Sequence, residues 1–239
     1  MKPLIIALTI LLTSFFSFCQ SDKNDNYNEW TKESRSVEAF TGIKVENAIQ
    51  VNITQGSQNT VVVNTSNTKD IKNVYTEVTN GILHIYLSKS KWNWKNTKIK
   101  VDVTLVQLNS IEASGACTVK IIDKILSDDL KIKLSGASDL KGEIKTINLD
   151  IETKGASDVN INGIASDANI IVSGASEFNG YNFNCENATL KASGASSISL
   201  SVVKKLSAEA NGASSIDYKG SPEIIKSNSS GASSISKKS

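Results

Sequence analysis

The tripeptide Gly-Ala-Ser, or a close variant, recurs seven times in the second half of this 239-residue chain, with its glycine at Gly115, Gly136, Gly155, Gly174, Gly194, Gly212 and Gly231. Successive glycines are 18 to 21 residues apart. A period this regular marks a solenoid, in which each repeat is one structural unit stacked on the next. About 19 residues is too short for a pair of helices but suits one coil of two or three short strands.

Aligning the repeats on their glycines shows which positions face inward. Four before the glycine stand Ile111, Ile132, Ile151, Ile170, Leu190, Ala208 and Ser227, and two before it Ala113, Leu134, Thr153, Val172, Ala192, Ala210 and Ser229. The position between them reads Glu112, Lys133, Glu152, Ile171, Lys191, Glu209 and Asn228, so the segment alternates as a half-buried strand does. A second apolar column, Val119, Leu140, Val159, Phe178, Ile198, Ile216 and Ile235, stands four after the glycine. The chain is therefore predicted to be all-β: a parallel β-helix, or β-solenoid, with coils of about 19 residues cornered at Gly-Ala-Ser, right-handed because strand–crossover–parallel strand connections favour that hand. The glycine supplies a positive φ or a close approach between coils, and the alanine after it is expected to turn into the narrow interior.

The residues before the repeats divide into three further parts. Met1-Lys2 and the apolar run Leu4 to Phe18 read as a secretory signal over residues 1–19, too short to hold as a membrane span. Cleavage before Gln20 fits this stretch better than acylation of Cys19 as a lipoprotein anchor. The mature chain then carries 25 basic and 24 acidic residues, a balance that gives no reason to expect a nucleic-acid partner. Residues 20–36, polar and aperiodic, read as a linker. Residues 37–108 read as the N-terminal β part of the domain that continues as the repeats of 109–239, and Asn80-Gly81 between two apolar strands signals a hairpin. Cys117 and Cys185 are expected as free, buried thiols, because they belong to coils too far apart for a disulfide.

The segment Phe40-Thr-Gly-Ile-Lys-Val, then Ile49-Gln-Val-Asn-Ile-Thr-Gln-Gly56, then Leu105 to Leu108 leading into Ile111-Glu-Ala-Ser-Gly-Ala116 and the repeated Ser-Gly-Ala-Ser, resembles the putative auto-transporter adhesin, head GIN domain family over residues 37–235. The resemblance implies a secreted bacterial protein with a β-helical fold and an adhesin role. It does not extend to self-export, since no run of alternating strands of roughly ten residues follows the repeats to form a translocating barrel.

Chemistry is sparse. The lone His84 sits on a strand whose other face is Leu83, Ile85 and Leu87, with no second ligand at metal spacing, and no pattern calls for a metal or a cofactor. Three residues after the glycine, Asp139, Asp158 and Glu177 form an exposed carboxylate ladder. Calcium would relieve their repulsion, but splaying into water beside Lys141 does so more simply, and the Gly-Gly-x-Gly-x-Asp calcium repeat is missing. A carbohydrate-active enzyme, lyase or hydrolase, would need such carboxylates around a bound sugar, but no insertion builds a cleft between them, and Phe178, Tyr181, Phe183 and Tyr218 are the few aromatics available there. The better ligand-binding candidates are Lys89, Lys91, Trp92, Trp94 and Lys95, where two alternating tryptophans could stack on sugars while lysines attract anionic groups; covering the end of the solenoid is their plainer role. The sequence thus favours a non-enzymatic secreted or cell-surface interaction protein, in the periplasm, on the outer surface or outside the cell, with polysaccharide, an envelope lipid or a surface protein as partner.

Overall fold

The computed structural model describes residues 30–88 and 97–239. In chain order its strands are β1 (Thr31–Arg35), β2 (Gly42–Asn47), β3 (Gln50–Gln55), β4 (Thr60–Thr65), β5 (Val74–Thr79), β6 (Ile82–Leu87), β7 (Ile99–Leu105), β8 (Ser110–Gly115), β9 (Thr118–Ile121), β10 (Ile125–Gly136), β11 (Asp139–Thr153), β12 (Asp158–Gly174), β13 (Glu177–Gly194), β14 (Ser197–Gly212), β15 (Ser215–Lys219), β16 (Glu223–Gly231) and β17 (Ser234–Lys237). They belong to one sheet that winds into a β-solenoid of about seven turns with parallel stacked strands. From β10 to β14 each strand runs most of the way round a coil, because the chain bends between glycine corners without breaking its ladder.

The repeat columns stack in register. Ile111, Ile132, Ile151, Ile170, Leu190 and Ala208 are consecutive partners down one face, and Val119, Leu140, Val159, Phe178, Ile198 and Ile216 down another. Both columns are buried. Between the inward positions, opposite charges meet across coils at Lys133–Glu152 (3.9 Å) and Lys191–Glu209 (3.8 Å), exposed pairs worth about 0–1 kcal/mol each.

The corner differs from expectation in one respect. Alanine after the glycine faces solvent, and it is the serine that turns inward: Ser138, Ser157, Ser176, Ser196 and Ser214 are at most 4% exposed. A tight corner strands backbone groups that no aliphatic side chain can satisfy. The serine hydroxyls supply the missing partners, as when Ser157 Oγ donates to the Lys154 carbonyl (3.1 Å) and accepts from the Ser138 backbone N–H (3.3 Å). Cys117 occupies the same station in an earlier coil, its Sγ donating to the Ser114 carbonyl (3.3 Å). Ser157→Ala should therefore cost about 1–3 kcal/mol by leaving buried groups unpaired. Ser157→Cys should recover most of that loss in urea melts; equal losses would mean that a thiol cannot replace the hydrogen bonds of the hydroxyl.

The first half of the chain contains a coil that lacks the Gly-Ala-Ser signature. β2 and β3 stack directly on β8 and β9, and Asn47 is the register partner of Gly115 with the same left-handed backbone (φ 79°). Asn47-Ala48-Ile49 is thus the same corner in other residues, and the Asn47 side chain accepts the Leu87 N–H (2.9 Å). On the far side of β2 and β3 lie β6 and β7, so the spatial order of coils departs from the chain order. The Asn80-Gly81 hairpin forms as expected between β5 and β6, while β4 pairs antiparallel with β7, and these strands close the N-terminal end.

The stretch 20–36, read as a linker, contains β1, which pairs antiparallel with β4. Its Thr-Lys-Glu-Ser-Arg sequence has no apolar alternation to reveal it; the strand is held by the β4 edge and by Arg35, whose Nη2 donates to the Ile71 carbonyl (2.9 Å). At the other end the interior tapers from Ile170 and Val172 through Leu190 and Ala192 to Ala208 and Ala210, and finally to the exposed Ser227 and Ser229. That taper makes the C-terminal coil polar enough to face water. Cys117 and Cys185 are free and buried, as expected.

Candidate functional site

Among the residues singled out from sequence, Asp139, Asp158 and Glu177 stand as direct register partners on three successive coils, all exposed. Neighbouring rungs are about 4.8 Å apart, so the carboxylates form a line on one flat face rather than two walls around a substrate. None of the three is in an ion pair among the described residues, and no group of three or more His, Cys, Asp or Glu there is placed to hold a metal ion. Phe178 and Phe183, two of the four aromatics considered as sugar platforms, are fully buried, while Tyr181 lies under the Lys219 ammonium, 5.1 Å from its ring centre.

His84 faces outward on β6, between its partners Glu77 and Lys44. Lys89, Lys91, Trp92, Trp94 and Lys95 fall between β6 and β7 and lie outside the described residues, as do residues 1–19, expected from the sequence to be a secretory signal. Along the neighbouring charged column Glu152 is held below the usual carboxylate range, chiefly by its hydrogen bond from Lys154.

The feature that sequence reasoning missed lies on another side of the coils. Val106, Leu126, Ile147, Ile164 and Val203 are between 44% and 59% exposed, and together they line a groove of about 750 Å³ that runs along the solenoid axis. Thr146, Ala165 and Cys185, register partners on successive coils, form its floor. Burial pushes the Cys185 thiol up to about 12, with the Asp167 carboxylate adding to the shift. The groove's charged lining residues are Asp128, Lys145 and Glu186, and Glu186 is paired with Lys204 at 2.8 Å.

Beside it runs a second groove of about 650 Å³. Its walls carry amide–carboxylate pairs that link successive coils: Asn148 Nδ2 donates to Asp129 (2.7 Å), Asn169 to Asp150 (2.7 Å) and Asn187 to Asp167 (2.9 Å). The aliphatic strip was hidden in sequence because the repeats vary in length. Leu126 and Ile147 stand eleven residues after their glycines, but Ile164 and Val203 stand nine after theirs, so glycine alignment scatters them across columns.

Solved structures share this fold. A putative adhesin from Bacteroides fragilis NCTC 9343 is 24% identical, with a TM-score of 0.78 over 87% of this chain and 97% of its own. A putative lipid binding protein from Parabacteroides distasonis ATCC 8503 is 19% identical, with a TM-score of 0.67 over 88% and 97%. A putative adhesin from Parabacteroides merdae ATCC 43184 is 16% identical, with a TM-score of 0.70 over 88% and 96%. No curated protein matches the chain. No helix among the described residues is long and apolar enough to cross a membrane. The sequence pattern of one family covers residues 39–222, spanning the hidden N-terminal coil, most of the glycine corners and both grooves, and this chain belongs to that family: "Putative auto-transporter adhesin, head GIN domain".

Proposed function

We propose that this protein is a non-enzymatic, exported interaction protein of the bacterial cell envelope that holds an envelope lipid by its acyl chain in the axial aliphatic groove. The observation that carries this reading is the groove itself: five large aliphatic side chains stand half-exposed in one concave strip. Contiguous exposed apolar surface of this kind marks interaction sites, and a concave apolar lining is what a hydrocarbon ligand requires. The similarity to a protein named as lipid-binding supports the same choice of ligand, and the adhesin family supports a place on the exported side of the envelope. A polysaccharide-degrading enzyme is less well supported, because the carboxylate ladder lies along one face with no opposing wall.

The test is displacement of a fluorescent fatty-acyl probe from the purified protein. Wild type is expected to bind, and the double variant Ile147→Asp, Ile164→Asp to bind at least about tenfold more weakly, since two half-buried aliphatic contacts are replaced by charge. Both side chains are exposed in the free protein, so circular dichroism should show an unchanged fold. Absence of probe binding, or equal binding by the variant, would refute the lipid reading.

A further inference from the structure

We propose, building on that lipid reading, that the groove selects a single-chain zwitterionic amphiphile of the lysophospholipid class, with its phosphate at Lys145, its cationic tip at Asp128 and its chain running over Ile164 toward Val203. The argument starts from which charges in the groove are already satisfied. Glu186 is neutralised by Lys204 at 2.8 Å. Lys145 and Asp128 belong to no ion pair within 4.0 Å among the described residues, yet both line the groove. They also sit close together: Ser127 is the register partner of Thr146, which places Asp128 on the coil next to that of Lys145 and on the diagonal from it. One unpaired charge of each sign on adjacent coils complements a head group that carries both.

Length and width fix the rest. Lys145, Ile164 and Asn184 are consecutive partners, and Asn184 pairs with Ser201 on the coil of Val203. Three steps of about 4.8 Å give roughly 14 Å of groove beyond Lys145. The chains of one bilayer leaflet span about 15 Å, half of a core of about 30 Å, so the groove takes one such chain lengthwise. A second chain would have to lie in the neighbouring groove. Between the two grooves runs the unbroken ladder Asp129, Asn148, Asp167 and Asn187, consecutive register partners that a second chain would have to cross.

The experiment compares palmitoyl lysophosphatidylcholine, palmitate and hexadecyltrimethylammonium, each below its micelle concentration, by displacement of the same probe from the full mature chain. The lysolipid should bind at least about threefold more tightly than either singly charged amphiphile, the scale of two exposed ion pairs. Shortening its chain should weaken binding by about fourfold per methylene removed. Lys145→Glu should move the preference to the cationic amphiphile, and Asp128→Lys should move it to palmitate, both without changing the chain-length slope. Equal affinity for the three head groups would overturn the zwitterion assignment while leaving the lipid reading intact. Failure of all three to bind would remove both.

Discussion

Replacing Gly155 by alanine should destabilise the solenoid by on the order of 3 kcal/mol or more, read as a fall in the urea midpoint. Two costs combine. Gly155 has φ 86°, a left-handed backbone that strains any residue with a Cβ by about 1–3 kcal/mol. In addition, a Cβ there would lie under 3.0 Å from the carbonyl oxygen of Gly136 in the preceding coil. That neighbour is backbone in a ladder, so relief requires the coils to separate. Gly81 provides the control: its φ of 74° is comparable, but a Cβ there meets nothing within 4 Å. Gly81→Ala should thus cost only the conformational part, about 1 kcal/mol. Equal losses at the two sites would show that backbone strain, and not close stacking, explains the repeated glycine.

Truncating Phe178 to alanine should cost about 3–5 kcal/mol, the range for large aromatic deletions in a packed core. Phe178 is fully buried on the coil that also carries Phe183, and its column partners are the smaller Val159 and Ile198. The chain makes room for the ring locally, since a Cβ on Gly180 would meet the Phe178 ring at 2.6 Å. Phe178→Leu, which keeps most of the volume, should lose far less. Because solenoid coils are stabilised mainly by their neighbours, the alanine variant should also uncouple the end of the stack. Hydrogen exchange should accelerate first beyond residue 187, where the interior narrows to Ala208 and Ala210. Uniform acceleration along the whole chain would contradict this nearest-neighbour behaviour.

What could be read before the structure was known followed from strict periodicity. The inward columns, the charge alternation through Lys133 and Glu152, the Asn80-Gly81 hairpin and the unpaired cysteines all depend on local spacing, which stacked coils preserve. The corner was misread because the small alanine was expected to turn inward, whereas it is the serine that does. Only the geometry of the turn shows that buried carbonyl and N–H groups there need a hydroxyl. Asn47 escaped notice for a related reason: asparagine tolerates the left-handed backbone well enough to replace the glycine that marks the seven repeats. For the site, sequence placed the carboxylates of Asp139, Asp158 and Glu177 in one line, but it could not show whether anything faces them.

By itself, the sequence determined that this chain is a stack of short parallel strands turned at small residues, because a period near 19 with two inward columns admits few other ways to bury its aliphatic side chains. The tertiary structure alone decided the order in which the first coils stack and the existence of the aliphatic groove. Both depend on where the chain bends between corners, in the part of each repeat whose length varies. There Leu126, Ile147, Ile164 and Val203 occupy different places in the sequence but adjoin in space, and the winding of the coils brings them to one side.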